Sequence, residues 1–244
     1  GRQGISMKQA IIVGASSGLG WELAIQLADK GYQLGVMGRR EALLNKLVEK
    51  LPGTHFIQAT DVSNAEQSQT ELEELIARMG DVELIVLSSG VGLFENKLEW
   101  AAEREMIDVN VRGFAALTII AMEHFTRRGA GHLAGISSMA AHIFGAKTVT
   151  YHATKAFVSN YLAGMRQRAI RSGLPITITT IEPGFIKTPM VHGNPLWMAP
   201  VEKGVTQMVA GLLKKKNHIY ITKRWRYVAF VADLMPHWLL RKFL

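Results

Sequence analysis

Three side chains have the types and spacing to handle a proton on a single carbonyl: Ser138, Tyr151 and Lys155. Tyr151 and Lys155 stand four residues apart, so a helix through Tyr151-His152-Ala153-Thr154-Lys155 puts phenol and ammonium within one turn of each other. An isolated tyrosine has a pKa of about 10, which leaves roughly one molecule in a thousand ionised at pH 7. A fixed cation beside the phenolate, at an effective dielectric of about 20, is worth on the order of 4 kcal/mol, or roughly three pKa units. The expectation is therefore a tyrosine whose pKa Lys155 lowers into the working range. The same spacing also occurs in ordinary solvated helix pairs, so the surrounding elements must decide.

Those elements alternate. Residues 10–13 form a short apolar run that ends in Gly14-Ala-Ser-Ser-Gly-Leu-Gly20, after which Trp21, Leu23, Ala24, Leu27 and Ala28 recur at helical spacing. A strand, a glycine turn and a helix in that order let a phosphate approach the backbone N–H groups of Gly14, Ser16, Ser17, Gly18, Leu19 and Gly20 at the positive end of the helix. The second strand, residues 32–37, ends in Gly38-Arg39-Arg40. In a dinucleotide fold this is where the adenosine ribose lies, and an acid here would hold a 2′-hydroxyl. The chain instead offers space at Gly38 and two guanidinium groups that pair with a 2′-phosphate, which points to NADP(H).

Strands are expected at 55–59, ending in Asp61-Val62, and at 83–87, running into Ser88-Ser89-Gly90-Val91-Gly92. One long helix is expected over 99–125, with Asn110 among Met106, Ile107, Val109 and Val111, where a buried amide must find partners. Strands at 131–136 and 175–181 lead to Ser137-Ser138 and to Glu182-Pro183-Gly184, and 218–221 reads as the seventh strand. Residues 185–203 read as a substrate lid, irregular over 185–200, rich in Met190, Leu196, Trp197 and Met198 and interrupted by prolines. No repeat or linker divides the chain, so the pattern predicts one α/β, doubly wound Rossmann domain with a mostly parallel seven-stranded sheet and helices on both faces. The domain spans 7–222. Residues 1–6 read as an expression-vector remnant and 223–244 as a C-terminal extension.

With these pieces in place the sequence resembles the short-chain dehydrogenase/reductase family over about residues 7–221. Gly14-x-x-x-Gly18-x-Gly20 is similar to that family's cofactor turn, Asp61-Val62 to its adenine contact, Ser88-Ser89-Gly90 to its Asn-Asn-Ala-Gly turn, and Asn110 to its helix asparagine. Ser138, Tyr151 and Lys155 match its catalytic residues, and Pro183-Gly184 with Ile186 and Thr188 resembles the segment that holds the nicotinamide carboxamide. Two departures stand out: Leu87-Ser88-Ser89-Gly90 replaces the Asn-Asn-Ala-Gly pattern, and Thr154 stands where serine is usual. The resemblance implies hydride transfer between NADP(H) and a carbonyl or secondary alcohol. Tyr151 would donate the proton, Ser138 would bond the same oxygen, Lys155 would bind the nicotinamide ribose, and Asn110 would hold a relay water. The rival expectation is an NADP(H)-sensing or scaffold protein on the same fold, against which the intact Ser138, Tyr151 and Lys155 argue.

Composition narrows the remaining classes. Among 244 residues, 48% are hydrophobic and none is cysteine, which excludes disulfides and thiolate chemistry. The eight histidines show no metal-ligand spacing, so no metal is expected. The net charge of +8 is concentrated at the C-terminus, where residues 214–244 carry eight basic side chains against Asp233 alone. No nucleic-acid motif accompanies them, whereas Trp225, Tyr227, Phe230, Leu234, Trp238, Leu239 and Phe243 do. Basic groups among aromatics suit an anionic membrane surface, and equally a segment that packs on the domain or on a second subunit. The expectations are completed by an apolar or lipid-like substrate lined by Met190, Leu196, Trp197 and Met198, by a homodimer or homotetramer, and by a cytoplasmic location associated with the inner face of a membrane.

Overall fold

The computed structural model describes residues 7–16, 18–92, 98–184, 186–187 and 199–244, with backbone alone at 186–187 and 199. The first strand, β1 (Gln9–Val13), is buried along its whole length, as a central parallel strand covered on both faces must be. Its alternate residues serve different layers. Ile12 packs with Leu23, Leu27, Val36 and Leu44, while Ile11 packs with Leu72, Leu75, Ile85 and Leu117 on the opposite face. Sliding the strand by one residue would exchange these sets. Since burying each such side chain is worth about 1.5–3 kcal/mol, the register is fixed by the core.

The chain continues through α1 (Gly18–Asp29), β2 (Gln33–Gly38), α2 (Glu41–Glu49), β3 (Phe56–Ala59), α3 (Ala65–Met79) and β4 (Val82–Leu87). Then come α4 (Trp100–Ile107), α5 (Phe114–Arg128), β5 (Gly131–Ile136), α6 (Val149–Ser172) and β6 (Ile176–Pro183). The two-residue strands β7 (Ile186–Lys187) and β8 (Ala199–Pro200) pair with each other, and α7 (Val201–Leu213), β9 (His218–Ile221), α8 (Trp225–Leu234) and α9 (His237–Leu240) complete the chain. The seven-stranded sheet runs β3-β2-β1-β4-β5-β6-β9, with every pairing parallel. The strand order reverses between β1 and β4, so a crevice opens at their carboxyl ends.

The expected doubly wound architecture is the observed one, with two differences of detail. The helix expected over 99–125 is not continuous: Asp108–Gly113 forms a π-helical turn between α4 and α5. Gly113 explains part of this, because a Cβ there would collide with Val62, including its carbonyl oxygen, so only glycine lets the widened turn approach β3's end. A 3₁₀ turn, Met139–His142, also separates β5 from α6. Of the expected lid, the structure describes only the β7–β8 backbone pair and the residues from Pro200 onward.

Candidate active site

The crevice at the switch point is a cavity of about 520 Å³, within the range of small-molecule sites. Its floor begins with the first glycine turn. Gly14 takes a left-handed φ of 87° while its N–H and that of Ala15 donate to Met37 O at 2.9 and 3.0 Å. A Cβ on Gly14 would lie 2.6 Å from Ser89 N, so the turns after β1 and β4 interlock at a distance only glycine permits. Gly14, Ser16, Gly18 and Leu19 line the cavity. Gly20 lies behind them, where a Cβ would strike the Gly14 carbonyl. The first turn of α1 holds no acid, which leaves its N-terminal amides free of a competing charge.

At one end the wall is made by Gly38, Arg39, Arg40, Thr60, Asp61 and Val62. A Cβ on Gly38 would come within 3.2 Å of Ser16 Oγ, so this corner stays open because the residue is glycine. Among the described residues, Arg39 makes a single exposed contact, with Glu105 at 3.5 Å, weak enough to yield to a stronger anion. Asp61 Oδ1 accepts from Ser63 N and Oγ at 3.0 and 2.7 Å, which fixes the turn after β3.

At the other end, Ser138, Tyr151, Lys155, Pro183 and Gly184 meet. Ser138 is extended (φ −169°, ψ 159°) and caps the 3₁₀ turn, its Oγ accepting from Ala140 N at 3.0 Å. Tyr151 and Lys155 lie one helical turn apart on α6, and the Tyr151 hydroxyl is hydrogen-bonded to the Ser138 side chain. Lys155 Nζ sits 5.7 Å from the centre of the Tyr151 ring and donates to Ile136 O at 3.1 Å. Burial lowers the Lys155 pKa to about 8, so the ammonium persists at neutral pH.

The tyrosine departs from expectation. Its pKa is raised, because burial strips the phenolate of hydration and the Ser138 bond only partly offsets that. The ammonium lies over the ring and bonds to a carbonyl, so it does not pull the phenol down as the spacing alone predicts. A neutral phenol is the form that donates a proton. Asn110 also differs. It is buried and does not line the cavity: Nδ2 donates to Val91 O at 2.9 Å and Thr154 Oγ1 at 3.1 Å, and Oδ1 accepts from Val91 N at 2.9 Å. The π turn therefore places an amide that braces the Gly90-Val91 turn against α6, behind the cavity wall.

Of the other residues singled out from sequence, Ser88, Ser89 and Gly90 line the cavity, with Ser88 N donating to Val13 O at 2.8 Å. Ser17, Thr188, Met190, Leu196, Trp197 and Met198 lie outside the described residues, and Ile186 is described only as backbone of β7. Thr60, Val91, Val109, Ile136 and Ser137 line the cavity without having been anticipated. Thr60 and Ser137 directly follow β3 and β5, so the rule that ligands meet the carboxyl ends of parallel strands was signal enough to find them.

A cavity across this switch point, with glycine turns for phosphates and a Ser-Tyr-Lys cluster at its far end, defines a dinucleotide-binding oxidoreductase. The chain belongs to the short-chain dehydrogenase/reductase family: the model described as short chain dehydrogenase matches residues 8–199. A protein named uncharacterized oxidoreductase from Myxococcus xanthus (strain DK1622) is 33% identical over 195 residues, covering 78% of this chain and 76% of that one. A short-chain dehydrogenase/reductase from Burkholderia phymatum in complex with NAD has a similar fold, with a TM-score of 0.82 at 20% identity over 91% and 92% of the two chains. So does a short-chain dehydrogenase from Sphingobium yanoikuyae in complex with NADPH, with a TM-score of 0.78 at 18% identity over 92% and 93%. The protein is thus an oxidoreductase that uses a nicotinamide cofactor on a small-molecule CH–OH or C=O group.

Proposed function

We propose that the protein is an NADP(H)-dependent reductase of an apolar or lipid-like ketone. The observation that carries this reading is the arrangement within one cavity: Arg39 and Arg40 at one end, and the Tyr151 hydroxyl bonded to Ser138 above Lys155 at the other. The residues fit the cofactor. Gly14, Ser16, Ser17, Gly18, Leu19 and Gly20 would hold its phosphates, Arg39 and Arg40 its 2′-phosphate, Asp61 and Val62 its adenine, and Ser88, Ser89 and Gly90 would approach it through backbone. Pro183, Gly184, Ile186 and Thr188 would hold the carboxamide. When bound, the cofactor supplies or accepts the hydride.

Tyr151 holds the proton that passes to the oxygen of the reduced carbonyl, and Ser138 donates a second hydrogen bond to that oxygen as charge develops. The Lys155 ammonium is assigned to the nicotinamide ribose. Asn110 is assigned a positioning role through Val91 and Thr154, and since its amide protons are engaged there the relay water would be held by an acceptor oxygen of this residue. The apolar character of the substrate is supported by exposed Phe144 and Val149, which lie in the segment between Ser138 and Tyr151. Met190, Leu196, Trp197 and Met198 are assigned to the same wall. Screening NADPH oxidation against ketones, aldehydes and long-chain 3-oxo compounds tests the reading, with turnover expected on an apolar ketone. Tight NADPH binding with no turnover on any of them would favour the sensing or scaffold alternative.

We assign 7–222 to the reductase domain, 185–203 to its lid and 223–244 to an extension that contacts a membrane's inner face in the cytoplasm. No helix among the described residues is long and apolar enough to cross a membrane. The support for a peripheral contact is a stripe on α8. Tyr227, Phe230, Val231 and Leu234 follow i, i+3, i+4, i+7 spacing and are all at least half exposed, opposite buried Trp225, Ala229 and Ala232. Exposed Trp238 and Phe243 extend it, with Lys223, Arg226, Arg241 and Lys242 around it. Flotation with vesicles containing phosphatidylserine should carry the protein upward, and Phe230→Asp with Leu234→Asp should abolish this. Flotation that survives the double substitution, or none in the intact protein, leaves the stripe as the contact surface of a homodimer or homotetramer.

A further inference from the structure

The inner face of the extension is built into the site just described. Three contacts from α8 and α9 reach the segment that follows Ser138. Trp225 and Ala229 pack on Met139, Asp233 Oδ1 lies 2.7 Å from His142 Nδ1, and the His237 ring lies 5.3 Å from that of Phe144. A fourth reaches the cofactor side, where Trp225's indole fills the space a side chain on Gly184 would need.

His142 is the centre of this arrangement. Its Nε2 lies 2.6 Å from Glu182 Oε2 while its Nδ1 faces Asp233, so both ring nitrogens meet carboxylate oxygens and both must donate. The ring is therefore an imidazolium held between two anions. Glu182 is 1% exposed and is shared further: Oε1 accepts from Ser159 Oγ at 3.2 Å and lies 3.3 Å from His218 Nε2. Ser159 Oγ in turn is 2.6 Å from Ser137 Oγ, which lies 3.0 Å from the Lys155 carbonyl. The hydrogen bond to Glu182, with that to Asp233, raises the His142 pKa to about 9 against the effect of burial. Burial pushes Glu182 up, but bonds and charge from the two histidines outweigh it and hold its carboxyl at about 2.

One buried carboxylate thus joins α6 below Lys155, the turn that starts at Ser138, the strand that ends in Pro183 and, through His142, α8. We propose that the Asp233–His142–Glu182 clamp positions Ser138 and the Pro183-Gly184 wall, so that the extension is a working part of the active site. This rests on Ser138 and Tyr151 being the groups that meet the carbonyl. His142 and Asp233 act through other residues and need touch neither substrate nor cofactor.

Asp233→Asn is the informative variant, because the side chain is 57% exposed and its loss leaves the core intact. On the ketone found by the screen, kcat should fall roughly 10-fold while the KM for NADPH rises much less, and Asp233→Glu should restore both. Amide hydrogen exchange across 138–146 should quicken, with exchange across β1 and β2 unchanged. His142→Gln should show the same signature more strongly. Unchanged kcat and unchanged exchange in Asp233→Asn would overturn the clamp. So would an equal loss of kcat, NADPH affinity and melting temperature, which marks a merely structural contact. If the screen yields no substrate, the functional reading fails separately, and exchange with NADPH titration still decides whether the clamp holds the Ser138 segment.

Discussion

Tyr151→Phe should still bind NADPH with near wild-type affinity while its turnover falls at least ~100-fold. The substitution removes one oxygen and leaves the ring that packs above Lys155. On the proposed reading most of the cofactor's binding energy would come from the glycine turn and the adenosine end, far from that oxygen, so affinity has no reason to change. The proton has nowhere else to come from. Ser138 accepts from Ala140 N and lends its hydroxyl to the substrate oxygen as a hydrogen bond without giving up the proton, and the Lys155 ammonium donates to Ile136 O. In the wild-type protein kcat/KM should fall as pH rises through about 8, where Lys155 surrenders its charge. Stopped-flow NADPH oxidation together with nicotinamide fluorescence separates these quantities. A Tyr151→Phe protein that turns over normally would remove the mechanism.

The second large effect is on the cofactor. Arg39→Ala with Arg40→Ala should weaken NADPH binding roughly 100-fold or more while leaving NADH binding nearly unchanged. A charge-assisted hydrogen bond is worth about 1.5–3 kcal/mol, and on the proposed reading two guanidinium groups would each make one to the 2′-phosphate. Arg39 gives up only an exposed contact with Glu105 to make its share, so little of the gain is lost in breaking an existing bond. Parallel titrations with NADPH and NADH read the ratio directly. Equal loss for both cofactors would show that the arginines serve the fold around β2 and carry no preference.

Much of this was legible in the sequence because parallel strands covered on both faces are written as continuous apolar runs. Residues 10–13 and 83–87 are such runs, and each ends in a glycine-bearing turn that the structure places on the cavity. Ser138 followed from the end of such a strand, whereas Tyr151 and Lys155 followed from their helical spacing and from the family resemblance. The tyrosine's pKa did not, because spacing reports which residues are near and says nothing of how much water remains or which acceptor the ammonium chooses. Asn110 was recognisable as a buried amide in need of partners, but the π turn that aims it depends on Gly113 meeting Val62, a contact between segments about 50 residues apart in sequence. His142 and Glu182 carried no motif, since their meaning arises only when β6, α6 and α8 are brought together.

The contact between Gly184 and Trp225 gives the extension a different standing from an appended tag. A glycine in the cavity wall and a tryptophan beyond the last sheet strand compete for one shared volume, so neither can change size without the other. Enlarging the first expels the second, and losing the second opens the wall. The change of composition near residue 222 is therefore no seam at which this chain could be cut or grafted. The outer, aromatic face of α8 is left exposed to meet a partner, while the inner face belongs to the pocket.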